Sequence, residues 1–189
     1  MYDATPDPYC YPGTRVLRNL ANLKRAADLK QFELALTTQR MDEAFPAGRL
    51  SVRHYYAVHH HIFQDVYRWA GKPRTVRITK GASTFCYPEN INAEMKKIFA
   101  WLKQEQYLRG RDAQAFAEGA AHFLSELNAI HPFRDGNGRT QLAFMALLTA
   151  QAGHTLHLEK IRATPFLRAM IASFSGNNAP LVRELWMLL

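Results

Sequence analysis

Apolar residues along the chain recur mostly at three- and four-residue intervals, a pattern that reads as one helix after another. Val16, Leu17, Leu20, Leu23, Ala26 and Ala27 repeat at that spacing, with Leu34 and Leu36 extending the run. Phe45-Pro46-Ala47-Gly48 breaks it. Ser51 is placed to cap a second helix whose buried face takes Tyr55, Val58, Ile62 and Phe63, and Gly71 with Pro73 closes it. Met95, Ile98, Phe99 and Leu102 predict a third helix; Phe116, Ala120, Phe123, Leu124 and Leu127 predict a fourth. Leu142, Met145, Leu148 and Ala152 belong to a fifth, ended by Gly153. Two more are expected over 161–174 and 181–189, separated by Ser175-Gly176-Asn177-Asn178-Ala179-Pro180. The closing run Leu185-Trp186-Met187-Leu188-Leu189 reads as a buried helix, or as one leading into a longer chain.

One segment departs from helical spacing. Residues 74–79 alternate, with the β-branched Val76 and Ile78 on one face. Lys80-Gly81-Ala82-Ser83 is a turn signal, and Thr84-Phe85-Cys86-Tyr87 can return as a second short strand. A hairpin over 74–87 is marginal alone, so it must lean on the helices or on a bound peptide. Residues 1–14, rich in Pro, Tyr and Asp, read as an irregular arm. The expected fold is all-α, a helical bundle with one small β-hairpin, forming a single domain over 1–189.

Composition narrows the class. With 189 residues, 48% of them hydrophobic, the chain is long and apolar enough for one core, which excludes disorder. Cys10 and Cys86 cannot make a disulfide framework and fit a reducing compartment. No apolar run approaches a membrane span, and the start Met-Tyr-Asp-Ala-Thr-Pro carries no secretory signal, so a cytoplasmic protein is expected. The net charge of +8 is scattered and interleaved with acidic residues. That reads as solvated surface plus one local anion site, with neither a nucleic-acid face nor a membrane surface expected.

The anion site falls in His131-Pro132-Phe133-Arg134-Asp135-Gly136-Asn137-Gly138-Arg139, between the fourth and fifth helices. Pro132 biases His131 toward extended geometry, and Gly136 and Gly138 tolerate positive φ, as Asn137 does more readily than most residues. Such alternation aims backbone N–H groups to one side as an anion nest, reinforced by the start of the next helix. Arg139 adds a charged fork for phosphate. Asp135 beside the nest suits a divalent cation of the Mg²⁺ type, and His131 a general base. Together these residues describe phosphoryl or nucleotidyl transfer; the competing reading is a solvated turn in which His131 caps a helix and Asp135 pairs with Arg139.

HPFRDGNGR is similar to the signature of the Fic family, HPFx(D/E)GN(G/K)R, at every defined position. The stretch from His59 to Gly71 resembles the family's upstream segment, and Asp7-Pro8-Tyr9 with Tyr11-Pro12-Gly13-Thr14 the start of many bacterial members. The resemblance implies a Fic-fold bundle that transfers AMP from ATP to a Tyr, Thr or Ser hydroxyl of a target protein, releasing pyrophosphate. His131 would then be the base and Asp135 the Mg²⁺ ligand. Gly136, Asn137 and Gly138 would form the anion hole, and Arg139 would grip the phosphates. Phe133 would be a buried anchor. The hairpin would be the flap, with Ile78, Thr79, Lys80 and Phe85 binding the target segment as an added strand.

Two departures from the family pattern matter. Many members carry a second Arg where this chain has Leu142, which leaves the nucleotide and its orientation open. The inhibitory (S/T)xxxE(G/N) pattern has no match; the nearest, from Thr155 to Glu159, is followed by Lys160. Family precedent then implies inhibition in trans by a small antitoxin, or a host-directed effector secreted into another cell. A kinase-like relative is disfavoured by Gly138, where that subfamily tends to carry Lys. A non-catalytic binding module is disfavoured by the intact His131, Asp135 and Arg139.

The remaining candidates read as structural. Adjacent His59, His60 and His61 point different ways along a helix and make a poor metal site. His154 and His157 are expected in packing or at the surface, Tyr67 and Trp69 in the core, and Cys86 exposed on the flap. His122 and Asn128 are either supporting groups for His131 or bystanders.

Overall fold

A computed structural model of the chain describes residues 7–80 and 83–189. In chain order its helices are α1 (Ala26–Met41), α2 (Val52–Phe63), α3 (Ile91–Gln104), α4 (Ala113–Ile130), α5 (Asn137–Ala152), α6 (Ala163–Phe174) and α7 (Ala179–Trp186). Between α2 and α3 lies an antiparallel pair, β1 (Thr79–Lys80) and β2 (Ser83–Thr84), with Thr79 opposite Thr84 and Lys80 opposite Ser83. The all-α bundle with one small hairpin is therefore what the chain forms. Residues 1–6 of the expected arm, and Gly81 and Ala82 of the expected turn, lie outside the described residues.

Helix α4 is the axis: it packs against α3, α5, α6 and α7, while α2 packs on α1, α3 and α5. Phe116, Ala120, Phe123, Leu124 and Leu127 are all buried on α4, as the periodicity predicts. Phe144 of α5 fills the centre, in edge contact with Tyr55 and Phe99 at ring distances of 5.2 and 5.6 Å. Ser51 caps α2 by accepting from the His54 amide at 3.2 Å, and Asp112 caps α4 through the Ala115 amide at 2.8 Å.

Two expected elements change. The first helix starts at Ala26, not at Val16. Leu17 instead bridges to Cys10, the Leu20 amide donates to the Val66 carbonyl, and the Asn19 side chain bonds backbone of Leu17 and Leu23. Those partners hold the segment in an irregular path that an apolar spacing cannot announce. The hairpin is also shorter than residues 74–87. Arg74 donates its amide to the Pro132 carbonyl, Thr75 to the Tyr9 hydroxyl and Cys86 to the Ala129 carbonyl. The roots of the hairpin thus bond to the end of α4 and to the arm instead of to each other, leaving a two-residue ladder at the tip.

Candidate active site

His131 ends α4. It adopts the left-handed conformation at φ 49° and ψ 60°, with its amide still donating to the Leu127 carbonyl at 2.9 Å. The extended geometry expected from Pro132 is overridden, because helix termination and a partner for the His131 carbonyl both favour this turn. That partner is Arg74, whose Nε donates to the carbonyl at 2.8 Å. The imidazole is half-buried, and its Nδ1 is buried with no hydrogen-bond partner. Burial, then the Arg74 charge, lowers the ring's pKa to about 4; the Asn128 carbonyl opposes them from outside hydrogen-bonding geometry, and Lys80 adds to them. His131 is therefore neutral near pH 7 and able to accept a proton.

Five residues on, Gly136 turns the chain into α5 with φ 79°. A Cβ there would meet the Phe63 ring at 2.3 Å, so only glycine fits. No side chain caps α5. Its opening amides, at Asn137, Gly138 and Arg139, lack intrahelical acceptors and present the positive end of the helix dipole. Gly138 is exposed, with nothing within 4 Å of where a Cβ would stand. Asn137 is not at positive φ. It is buried as the first helical residue, accepting from the Phe133 amide at 3.0 Å and donating to the Phe133 carbonyl at 2.8 Å. Its side chain braces the loop from beneath.

Asp135 is exposed. Its Oδ1 accepts from the Gly136 amide at 2.6 Å, and among the described residues it forms no ion pair. Arg139 pairs with Glu33 of α1, donates to the Thr37 hydroxyl at 3.1 Å and lies over the Phe63 ring at 4.5 Å. Glu33 also accepts from the Tyr67 hydroxyl. The pairing of Asp135 with Arg139 does not occur.

The loop is held from behind by His59, fully buried on α2. Its Nδ1 accepts from the Gly71 amide at 2.8 Å, which leaves Nε2–H to donate to the Asp135 carbonyl at 3.1 Å. Burial lowers its pKa to about 3, and its ring stacks on Phe133 at 3.7 Å. Phe133 is wholly buried. On the other side, Asp7 of the arm accepts from Arg134 at 2.7 and 2.9 Å.

The flap covers His131. Phe85 is 7% exposed and stacks on the His131 ring at 3.9 Å, edge-on to Phe174 of α6. Thr79 and Lys80 are exposed at the tip; Ile78 is half-buried and accepts from the Phe85 amide at 3.2 Å. Cys86 is half-buried rather than exposed, because its amide and carbonyl are both engaged at the flap root. His60 and His61 bond the Ala70 and Arg40 carbonyls, and His154 bonds the Arg111 carbonyl. Among the described residues no cluster of three His, Cys, Asp or Glu could hold a metal. His122 packs on Trp101, and Asn128 reaches the Met170 carbonyl, so neither side chain supports His131.

Arg74, Glu33 and Asp7 were not legible as site residues. Each acts through a partner far along the chain, and no local spacing marks it.

The model of the Fic/DOC family matches residues 49–149, from just before α2 through the flap and into α5. The chain belongs to the Fic/DOC family. It is 51% identical over 185 residues to the probable protein adenylyltransferase y4lH of Sinorhizobium fredii, covering 97% of this chain and 96% of that one. It is 38% identical over 183 residues to protein adenylyltransferase VbhT of Bartonella schoenbuchensis, covering 94% of this chain and 38% of VbhT. In structure it resembles BepC, a VirB-translocated effector of Bartonella tribocorum solved with bound AMPPNP. The TM-score is 0.87 at 26% identity, over 95% of each chain. Within the Fic fold the signature loop is thus the junction of α4 and α5, with the flap above it.

Proposed function

We propose that this Fic protein is a protein adenylyltransferase that transfers AMP from ATP to a hydroxyl of a target protein. One observation carries the reading: a neutral, half-buried His131 stands at the end of α4, and the uncapped, glycine-opened start of α5 follows within the same loop. The target oxygen attacks the α-phosphorus, its proton passes to His131, and the bond to pyrophosphate breaks. A tyrosine hydroxyl has a pKa near ~10, so a neutral imidazole in reach contributes roughly 10²- to 10⁴-fold. The amides of Asn137, Gly138 and Arg139, with the Arg139 guanidinium, stabilise charge on the phosphates.

Mg²⁺ fits Asp135, because the carboxylate is exposed and one oxygen is left without a partner. A single protein carboxylate leaves the remaining positions to phosphate and water oxygens. When bound, the ion would neutralise phosphate charge. The exposed Thr79 and Lys80 offer a strand edge on which a target segment can pair, beside Ile78 and above Phe85. A small antitoxin acting in trans is the regulator this reading favours, since no inhibitory pattern occurs in the chain; co-purification with a candidate partner tests it.

The deciding experiment labels cell lysate with ATP carrying the label at the α- or at the γ-phosphate, using wild type and His131→Ala. Protein bands from the α-label alone, lost in the variant, are expected. Bands from the γ-label alone would make the protein a kinase. Bands only when another nucleoside triphosphate is supplied would assign a different nucleotide, the point that Leu142 leaves open.

A further inference from the structure

Arg74 is the most completely buried charged residue among those described, 2% exposed, and no carboxylate among the described residues pairs with it. Its guanidinium is satisfied by backbone oxygens instead. It donates to the carbonyls of Val76 at 2.6 Å, Cys86 at 2.6 Å, His131 at 2.8 Å and Ile130 at 3.3 Å. Val76 and Cys86 are the two roots of the flap; Ile130 and His131 are the last turn of α4. Burying a cation without a counter-ion is costly unless other groups replace its hydration. Here the negative end of the α4 dipole and four carbonyls do so, and burial lowers the Arg74 pKa.

We propose that Arg74 is a positioning residue that locks the flap to the general base, so that target segment and His131 are presented in one fixed geometry. The proposal rests on the adenylyltransferase reading for its consequence in catalysis, but the lock itself is independent of it. With both roots tied to α4, Phe85 is held over the imidazole and β1 keeps a constant height above it. An unanchored hairpin of this length would not hold its shape. Lysine cannot replace the fork: it carries the charge as a point donor and cannot span acceptors on both sides. The charged groups facing the His131 ring are Arg74 and, from the flap, Lys80; both favour the neutral imidazole.

The test compares wild type, Arg74→Lys, Arg74→Met and, as a control for simple destabilisation, Leu185→Ala, a buried residue of α7 outside the flap and its Arg74 contacts. All are studied well below their melting temperatures. Amide hydrogen exchange is expected to quicken at Phe85 and Cys86 in both Arg74 variants and to stay at the wild-type rate in Leu185→Ala. In the wild type, Cys86 should exchange as slowly as His131, while Thr79 and Lys80 exchange fast. The His131 ring followed by NMR titration should shift to higher pKa in Arg74→Met and remain lower in Arg74→Lys. The turnover number for AMP transfer should fall about 10- to 100-fold in both, the range a misplaced reacting group produces.

Wild-type exchange rates at Phe85 and Cys86 in folded Arg74→Lys would overturn the lock, as would equal quickening in Leu185→Ala. Should Arg74→Met fail to fold, Arg74→Lys and the wild-type exchange pattern carry the test. Absence of AMP transfer in the wild type would overturn the functional reading alone, since exchange and titration still decide Arg74.

Discussion

Single residues in the signature loop divide into those that meet a ligand and those that hold the loop for it. Asp135, Gly138 and the amides that open α5 face outward; Phe133, Asn137 and His59 face inward and are buried. Gly136 belongs to both groups, since its positive φ aims the amides while Phe63 presses where a Cβ would stand. Gly136→Ala is therefore expected to lose roughly 2–4 kcal/mol, from left-handed strain and overpacking, and to abolish nucleotide binding. Urea unfolding and calorimetric titration check both; unchanged stability would mean that Phe63 yields freely. Asn137 and Arg139 also help hold the loop. The Asn137 side-chain carboxamide bonds the Phe133 backbone, leaving its backbone amide free, and Arg139 is shared with Glu33; the loop can be aimed only if its underside is bonded.

At the scale of elements, the contrast lies between helix starts. Ser51 and Asp112 cap α2 and α4 in the ordinary way. Replacing either with alanine should cost about 1 kcal/mol with AMP transfer retained in the folded protein. Melting curves with activity measured well below the midpoint would show it, and a loss of activity without loss of stability would contradict it. Helix α5, like α1, α3, α6 and α7, has no side-chain cap; what sets its start apart is that it opens on Gly136 at positive φ, in the loop where the proposed function places the nucleotide phosphates. AMPPNP with Mg²⁺ should accordingly raise the melting temperature, by about 2.7 kcal/mol of stabilisation at a hundredfold excess over the dissociation constant. Chelating the metal should remove part of that rise in the wild type. In Asp135→Ala chelation should change little, and an equal chelation effect in both would remove Asp135 from the metal site.

For the whole molecule, acid is the sensitive variable. His59 and His131 have folded pKa values of about 3 and about 4, below the unfolded value near ~6.5. In that window the unfolded chain binds more protons, so their contribution is fully present above about pH 6.5 and lost as pH falls toward the folded values. The urea midpoint should drop between neutral pH and about pH 5. His131→Ala should lessen the slope, and a midpoint flat over that range would show that neither ring is held neutral by folding. Both histidines lie on the path joining α2, the loop and the flap, so acid should loosen the site before the rest of the bundle.

What the sequence determined is the set of local decisions. Apolar spacing placed the buried faces of α2, α3 and α4 because a helix must turn one stripe inward, and Ser51 marked a helix start by its side-chain chemistry. The signature loop was legible because its function needs particular residue types at adjacent positions. Tertiary structure decided everything that depends on a distant partner. Residues 16–25 stay irregular because Cys10, Val66 and the Asn19 side chain claim their backbone groups. The hairpin shrinks to its tip because α4 and the arm take its roots. His131 is neutral because the fold buries it, and Arg74, fifty-seven positions earlier, adds its charge and holds the His131 carbonyl. Hydrogen-bond partners and burial are properties of the folded chain, and no local pattern encodes which carbonyl a guanidinium will find.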